Sequence, residues 1–383
     1  MDGFLKNNNL SKAEIRYYGR HLTLEEIGLN GQKKLKSARV LVVGAGGLGI
    51  PVLQYLTAAG VGQIGIIDFD QVEIHNLHRQ ILFDTSDVGR LKAEVAKTRL
   101  EKLNPYIRID AIHEKLTSDN SLEIFGNYDV IVDCTDNFPA RYLINDTCLM
   151  LNLPFIYGSI YKFEGQLSVF NFVDDDGRRG PNYRDLYPEP PPVGLVPNCA
   201  EAGVLGVLPG IIGCLQANEA IKLITGTGSI LNSKLLLFDA LSLDTQVIKI
   251  PHIRNKKHAV PKKLIDYDAF CGHGPQHSST TDVMDIAEIS YEEAIKLKDQ
   301  NSPIQWIDVR EPHEHQVANL GGLLIPLREL PLRVDEINRE NKVIIYCQSG
   351  RRSADAIRYL EKEHNRTNLY NLKGGMVQVL QNP

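Results

Sequence analysis

Two stretches of this chain hold residues whose types and spacing can do chemistry. In the first, Gly44, Gly46, Gly47 and Gly49 follow an apolar run, Arg39 to Val43, and precede a helical pattern. Such glycines make a tight turn and let backbone N–H groups and a helix N-terminus approach a phosphate. Asp68, in the next apolar run (Ile64 to Asp70), lies where a mononucleotide-binding unit places a carboxylate against a ribose hydroxyl. Asn76 and Arg79 fall in a loop or short turn, and Lys92 opens a helix after Gly89. Two cations beside a glycine loop suit the charged tail of a nucleoside triphosphate, whereas a dinucleotide would put only a pyrophosphate bridge there. Asp133 and Asp136 stand near the carboxyl end of another buried run, Tyr128 to Asn137. A carboxylate facing a triphosphate is repulsive unless a metal lies between them, so Asp136 points to Mg²⁺. Asp136 or Asn137 can also cap the helix that starts near Pro139.

The second stretch is CQSGRRS, Cys347 to Ser353, read as a strand ending in cysteine, a tight loop and a helix. Loop N–H groups around Gln348, Ser349 and Gly350, the helix dipole, and Arg351 and Arg352 all favour a thiolate or persulfide at Cys347. A cysteine phosphatase shares this logic but needs arginine after five intervening residues. Here that position is Ser353, and Arg352 comes one residue too early. The shorter loop suits a sulfur atom better than a phosphoryl group. A third thiol, Cys199, follows a Pro-rich loop (Gly180 to Asn198) and precedes a helix expected from about Gly203, a position that favours a nucleophile. Cys134, Cys148 and Cys214 read as core.

The elements that position these residues follow from length and pattern. A chain of 383 residues suggests two or three domains. Expected boundaries are 1–272 for the first domain, 273–283 for a polar linker (HGPQHSSTTD) and 284–383 for the second. Ser11 to Leu35 reads as one or two amphipathic helices. Buried parallel strands then alternate with helices, and Gln166 to Phe172 adds antiparallel strands, giving a mixed sheet. A net charge of -5 gives no reason to expect nucleic acid or an anionic membrane as partner. The six cysteines are scattered, no signal peptide is evident, and the longest apolar run is too short to span a bilayer. These features lead us to expect a cytoplasmic protein.

GAGGLG, DFDQVEIHNLHRQ, Lys92, DCTDN, YPEPPP, NCAEAGVLGVLPGIIGCLQANEAIKLITG and LIDYDAFCG occur in one order across Ser11 to Gly272. Together they resemble the MoeB/ThiF family of enzymes that adenylate ubiquitin-like sulfur carriers. The fold this implies is a Rossmann-like α/β domain with a mixed sheet. The resemblance implies ATP as substrate, with Gly47 under the phosphates, Asp68 on the ribose, and Asn76, Arg79 and Lys92 on the triphosphate. Asp136 would hold Mg²⁺ with Asn137 beside it. Arg20 matches a family arginine that reaches the ATP of the neighbouring subunit, which implies a homodimer. Many relatives bind zinc through two Cys-x-x-Cys pairs. Here the first position reads NYRD (Asn182 to Asp185) and the second region NKKHAVPKK, so no zinc is expected. Cys271, His273 and His277 make a poor substitute set in a linker-like stretch.

Beyond the linker, DVREPHEH and Cys347 resemble the entry motif and persulfide cysteine of a smaller α/β rhodanese domain, with Asp308 and Arg310 as structural supports. The combination resembles bifunctional adenylyltransferase–sulfurtransferases. It implies adenylation of a carrier ending in Gly-Gly, then sulfur transfer from a Cys347 persulfide loaded by thiosulfate or a cysteine desulfurase. Cys199 would either release the thiocarboxylate from an acyl disulfide or form a thioester first. Three rivals remain: an adenylyltransferase whose rhodanese domain serves another role, a non-catalytic carrier scaffold, and an NAD-dependent dehydrogenase. The last explains the glycine loop and Asp68 but not Arg79, Lys92 or the cysteine loop.

Overall fold

The computed structural model describes residues 9–191, 203–251, 260–272, 286–299 and 303–381. It divides into two compact units, Met1–His277 and Ser278–Pro383. The expected linker at 273–283 lies outside the described residues.

The first unit is built on eight strands: β1 (Arg39–Val43), β2 (Gln63–Ile67), β3 (Arg108–Ile112), β4 (Val130–Asp133), β5 (Phe155–Tyr161), β6 (Glu164–Phe170), β7 (Lys234–Asp239) and β8 (Thr245–Lys249). They form one sheet in the order β3-β2-β1-β4-β5-β6-β7-β8. The first five strands in that order are parallel and the last three antiparallel. Val40 stands between Ile64 and Val130, and all three are buried. Strands covered on both faces need continuous apolar runs, which is why RVLVV and QIGII do not alternate. The strand order reverses direction between β1 and β4, and the carboxyl ends of strands at such a point form the ligand crevice of an open α/β sheet.

Two boundaries differ from expectation. The long helix starts at Leu208 and runs to Thr225, with Pro209 in its first turn, where a fixed φ and a missing N–H cost nothing. The N-terminal segment forms three short helices, Lys12–Tyr17, Gly19–Leu22 and Gly28–Ser37, the first closed by a Ser11–Glu14 capping box.

Where the resemblance places the first zinc pair, Asn182 donates its backbone N–H and Nδ2–H to Asp185 Oδ2 at 2.9 and 3.0 Å. The turn they cap, Tyr183–Leu186, is fastened by ionic contacts. Arg184 donates to both oxygens of the buried Asp146 (2.9 and 2.7 Å), and Tyr267 Oη donates to the same carboxylate at 2.7 Å. The Arg184 guanidinium lies 4.8 and 5.0 Å from the ring centroids of Tyr142 and Phe270. Cys271 joins this core, and burial pushes its thiol up to about 11; His273 and His277 lie outside the described residues.

The second unit is a five-stranded parallel sheet of β9 (Glu288–Ile289), β10 (Ile304–Asp308), β11 (Leu323–Leu324), β12 (Lys342–Tyr346) and β13 (Leu369–Leu372), ordered β11-β10-β12-β13-β9. Asp308 pairs in register with Tyr346, so the ends of β10 and β12 bring Asp308 beside Cys347. Among the described residues of either unit, no helix is long and apolar enough to cross a membrane.

Candidate active sites

At the end of β1 the chain turns on Gly44, whose φ of 98° is open to glycine and strained for other residues. A Cβ there would lie 2.9 Å from the Cys134 carbonyl oxygen, so the glycine also lets β1 and β4 approach. Gly46 and Gly47 follow before the helix Gly49–Ala59, and Pro209 stands 3.0 Å from where a Cβ on Gly47 would be. The buried Asp68 closes this turn: its Oδ2 accepts from Ala45 N–H at 2.7 Å and its Oδ1 from Asp70 N–H at 2.8 Å. Burial raises this carboxyl above its ordinary range, against the pull of the Lys92 charge. The Lys92 ammonium, also buried, donates to Asp70 Oδ2 at 2.9 Å. Asp70 is the Lys92 partner that sequence reasoning passed over; its signal was the second acid of DFD.

Asn76 is buried in a short 3₁₀ turn and accepts from Glu73 N–H at 3.1 Å. Arg79 donates to the His75 carbonyl at 3.0 Å, and its Cγ lies 3.5 Å from the Cβ position of Gly47. Gln80, not anticipated, is buried beside the loop; among the described residues its Oε1 has no hydrogen-bond partner, and its Nε2 is 3.8 Å from the Cβ position of Gly46.

Beyond β4, Asp133 Oδ1 accepts from both Thr135 N–H (3.0 Å) and Thr135 Oγ1 (2.7 Å), while Arg141 donates to the Thr135 carbonyl at 3.1 Å. Burial pushes the Asp133 carboxyl up, opposed by Arg141. This knot fixes the segment carrying Asp136 and Asn137, both exposed. Asn137 is the helix cap, accepting from Ala140 N–H at 3.0 Å, and its Nδ2 lies 3.5 Å from Asp136 Oδ1. The glycine loop, Asp68, Lys92 and Arg79 are thus joined by contacts, with the Cys134–Asn137 segment against Gly44. Arg20 is exposed on the short helix Gly19–Leu22, which no contact described above joins to that group. Cys199 lies outside the described residues. Cys134 and Cys148 are buried with thiols pushed up by burial, and Cys214 is half-buried.

In the second unit Cys347 is fully buried at the end of β12. Gly350 N–H donates to its Sγ at 3.1 Å, and Ser353 Oγ lies 3.4 Å away. Gly350, at φ 91°, caps the helix Arg351–His364, whose N-terminus therefore points at the sulfur. The buried Asn371 places its Oδ1 2.6 Å from Ser353 Oγ, which fixes that hydroxyl; neither residue stood out in the sequence as a thiol neighbour. Asp308 and Arg310 form a buried bidentate pair (2.9 and 2.7 Å), and Arg310 Nη1 reaches Gln348 Oε1 at 3.4 Å. Arg352 donates to both oxygens of Glu314 (2.8 and 2.7 Å). Arg351, like Ser349, is exposed.

Comparison with known proteins bears on both units. A family model described as ThiF family matches residues 18–260, and one described as rhodanese-like domain matches 290–382. The chain is 43% identical over 373 residues to a protein of Mycobacterium tuberculosis named "Probable adenylyltransferase/sulfurtransferase MoeZ", covering 96% of this chain and 93% of that one. It is 50% identical over 268 residues to "Sulfur carrier protein adenylyltransferase" of Thermus thermophilus, covering 68% and 98%. With "Adenylyltransferase and sulfurtransferase MOCS3" of Aedes aegypti it shares 40% over 378 residues, covering 94% and 85%. Among solved structures, E. coli MccB superposes with a TM-score of 0.57 at 24% identity, over 68% of this chain and 76% of that one, a likeness of fold.

Proposed function

The chain belongs to the ThiF family and carries a rhodanese-like domain behind it, an adenylyltransferase joined to a sulfurtransferase; from this premise we propose how its residues divide the work. The substrate of the first unit is a sulfur carrier protein, the substrate class that the name of the Thermus relative gives for that enzyme, and here it is a ubiquitin-like carrier ending in Gly-Gly. Its carboxylate attacks the α-phosphorus of ATP, pyrophosphate leaves, and an acyl-adenylate forms. The observation that carries this reading is the pair of cations, Lys92 and Arg79, set around a glycine loop that Asp68 already holds closed. Backbone N–H groups of Gly44, Gly46 and Gly47 take phosphate oxygens, Asp68 takes the ribose, Asn76 supports the turn, and Asn137 flanks Asp136.

Asp136 offers an exposed oxygen donor at the carboxyl end of β4, and one carboxylate plus substrate phosphates is a common way to hold Mg²⁺. The donor chemistry fits. The ion would neutralise charge on the departing pyrophosphate.

In the second half-reaction a persulfide on Cys347, supplied by thiosulfate or a cysteine desulfurase, attacks the acyl carbon and AMP leaves. The carrier is then joined to Cys347 through an acyl disulfide. The Cys199 thiolate attacks Cys347 Sγ, forming a Cys199–Cys347 disulfide and releasing the carrier thiocarboxylate; a dithiol reductant resets both thiols. Gly350 N–H and the helix dipole hold negative charge on the sulfur through these steps. Arg20 completes the ATP site of a second subunit in a homodimer, and the protein works in the cytoplasm.

The test is the intact mass of a Gly-Gly-ended carrier after incubation with this protein, Mg-ATP and thiosulfate. Exchange of one oxygen for sulfur is the expected result, and Cys347→Ala should abolish it while ATP–pyrophosphate exchange persists. Loss of both activities in that variant would refute the division of labour.

A further inference from the structure

We propose that His78 is a positioning residue of the adenylation site, its neutral ring holding the Arg79 guanidinium ready for the triphosphate. The inference rests on the reading of the first unit as an ATP site. Arg79 Nη1 lies 2.9 Å from His78 Nε2. A guanidinium has donors only, so His78 Nε2 must offer its lone pair, and the ring's single proton sits on Nδ1. The second anchor of Arg79 is the His75 carbonyl, 3.0 Å from the same Nη1. Held at both points, the arginine keeps its stem against the glycine loop, with Cγ 3.5 Å from the Cβ position of Gly47.

The imidazole is exposed, and the backbone at Gly206 approaches it. On its other side runs the chain that re-enters the described structure at Gly203: a Cβ on Gly206 would lie 2.8 Å from the His78 carbonyl oxygen and 3.0 Å from Nδ1. His78 is therefore placed between the phosphate-facing arginine and this returning segment. The charged and titratable groups facing it are Arg79 and His75, the latter paired with Glu73 at 3.4 Å. Among the described residues no carboxylate pairs with His78. Partial desolvation, then Arg79 and His75, hold the ring below the ordinary histidine range. Protonation would turn the acceptor into a second cation and release Arg79.

Calorimetric titration of the full-length protein with Mg-ATP tests this. At about pH 8, His78→Leu should weaken binding about 3- to 10-fold, the loss expected for one exposed hydrogen bond to a charged group. In an Arg79→Ala background the same substitution should add less than about twofold, because the histidine acts only through that arginine. His78→Gln, whose amide oxygen can occupy the place of Nε2, should restore most of the affinity. It should also remove the weakening expected of the unsubstituted protein as pH falls below the ordinary histidine value of 6.5. Unchanged binding in His78→Leu, an equal loss in both backgrounds, or no rescue by glutamine would each overturn the proposal. Failure of the unsubstituted protein to bind Mg-ATP would instead overturn the ATP reading, and the inference with it.

Discussion

Lys92→Met keeps most of the buried stem of Lys92 and removes its charge, which isolates what that charge does. The ammonium is 7% exposed and holds Asp70, which is half exposed, at 2.9 Å. Asp70 can turn to water when its partner goes, so the lost ion pair itself should cost below about 1 kcal/mol. The effect on ATP is larger. A charge-assisted hydrogen bond to phosphate contributes about 2–3 kcal/mol, so binding should weaken by about 30- to 150-fold. A second consequence follows from Asp68, whose carboxyl is already raised by burial and restrained by Lys92. Without the lysine its folded-state pKa rises further. The folded variant then binds a proton more tightly than the unfolded chain does. Its stability penalty is therefore present at neutral pH and fades as pH falls through the folded-state pKa, which lies above the ordinary 3.8. Titration with Mg-ATP measures the first effect, and thermal unfolding at about pH 7.5 and pH 5 the second. Binding within a few-fold of the unsubstituted protein would refute the placement of Lys92 on the triphosphate. A stability penalty that grew on acidification would refute the account of Asp68.

Gly44→Ala should lower stability by about 1–3 kcal/mol, because it forces a side chain onto a φ of 98° and 2.9 Å from the Cys134 carbonyl; thermal unfolding reads this, and ATP binding should fall with it. Arg184→Ala strips the buried Asp146 of its bidentate partner and should destabilise the first unit by about 3–5 kcal/mol, whereas Tyr267→Phe, which removes one hydrogen bond, should cost about 1–2 kcal/mol by the same measurement. Burial pushes Asp308 up, but hydrogen bonds from Arg310 and His315 outweigh it and hold the carboxyl below 3.8. The stability this contributes is present above 3.8 and lost as pH falls through the depressed folded-state value, so the single tryptophan, Trp306 in β10, should report acid unfolding of the second unit. Asp308→Asn should move that transition to higher pH by weakening the native state.

Local signals account for the parts of both sites that could be read from the chain alone. RVLVV and QIGII announce buried parallel strands because burial on both faces leaves no polar alternation, and the glycines behind Val43 mark the turn because the backbone demands them. Lys92 opens its helix as expected, since the boundary is set by Gly89 and the apolar period beyond it. What failed was pairing across the chain. Lys92 meets Asp70 from 22 residues away and Arg352 meets Glu314 from 38, and no periodicity encodes either contact. Two arginines flanking a cysteine look equivalent as letters, yet Arg352 is paired with a bidentate carboxylate while Arg351 is exposed, a difference set by tertiary partners. At the other site His78 is exposed, and what its ring can do follows from a neighbouring guanidinium that can only donate. Residue type narrows what a position can do, and the tertiary partner decides which of those roles its charge remains available to perform.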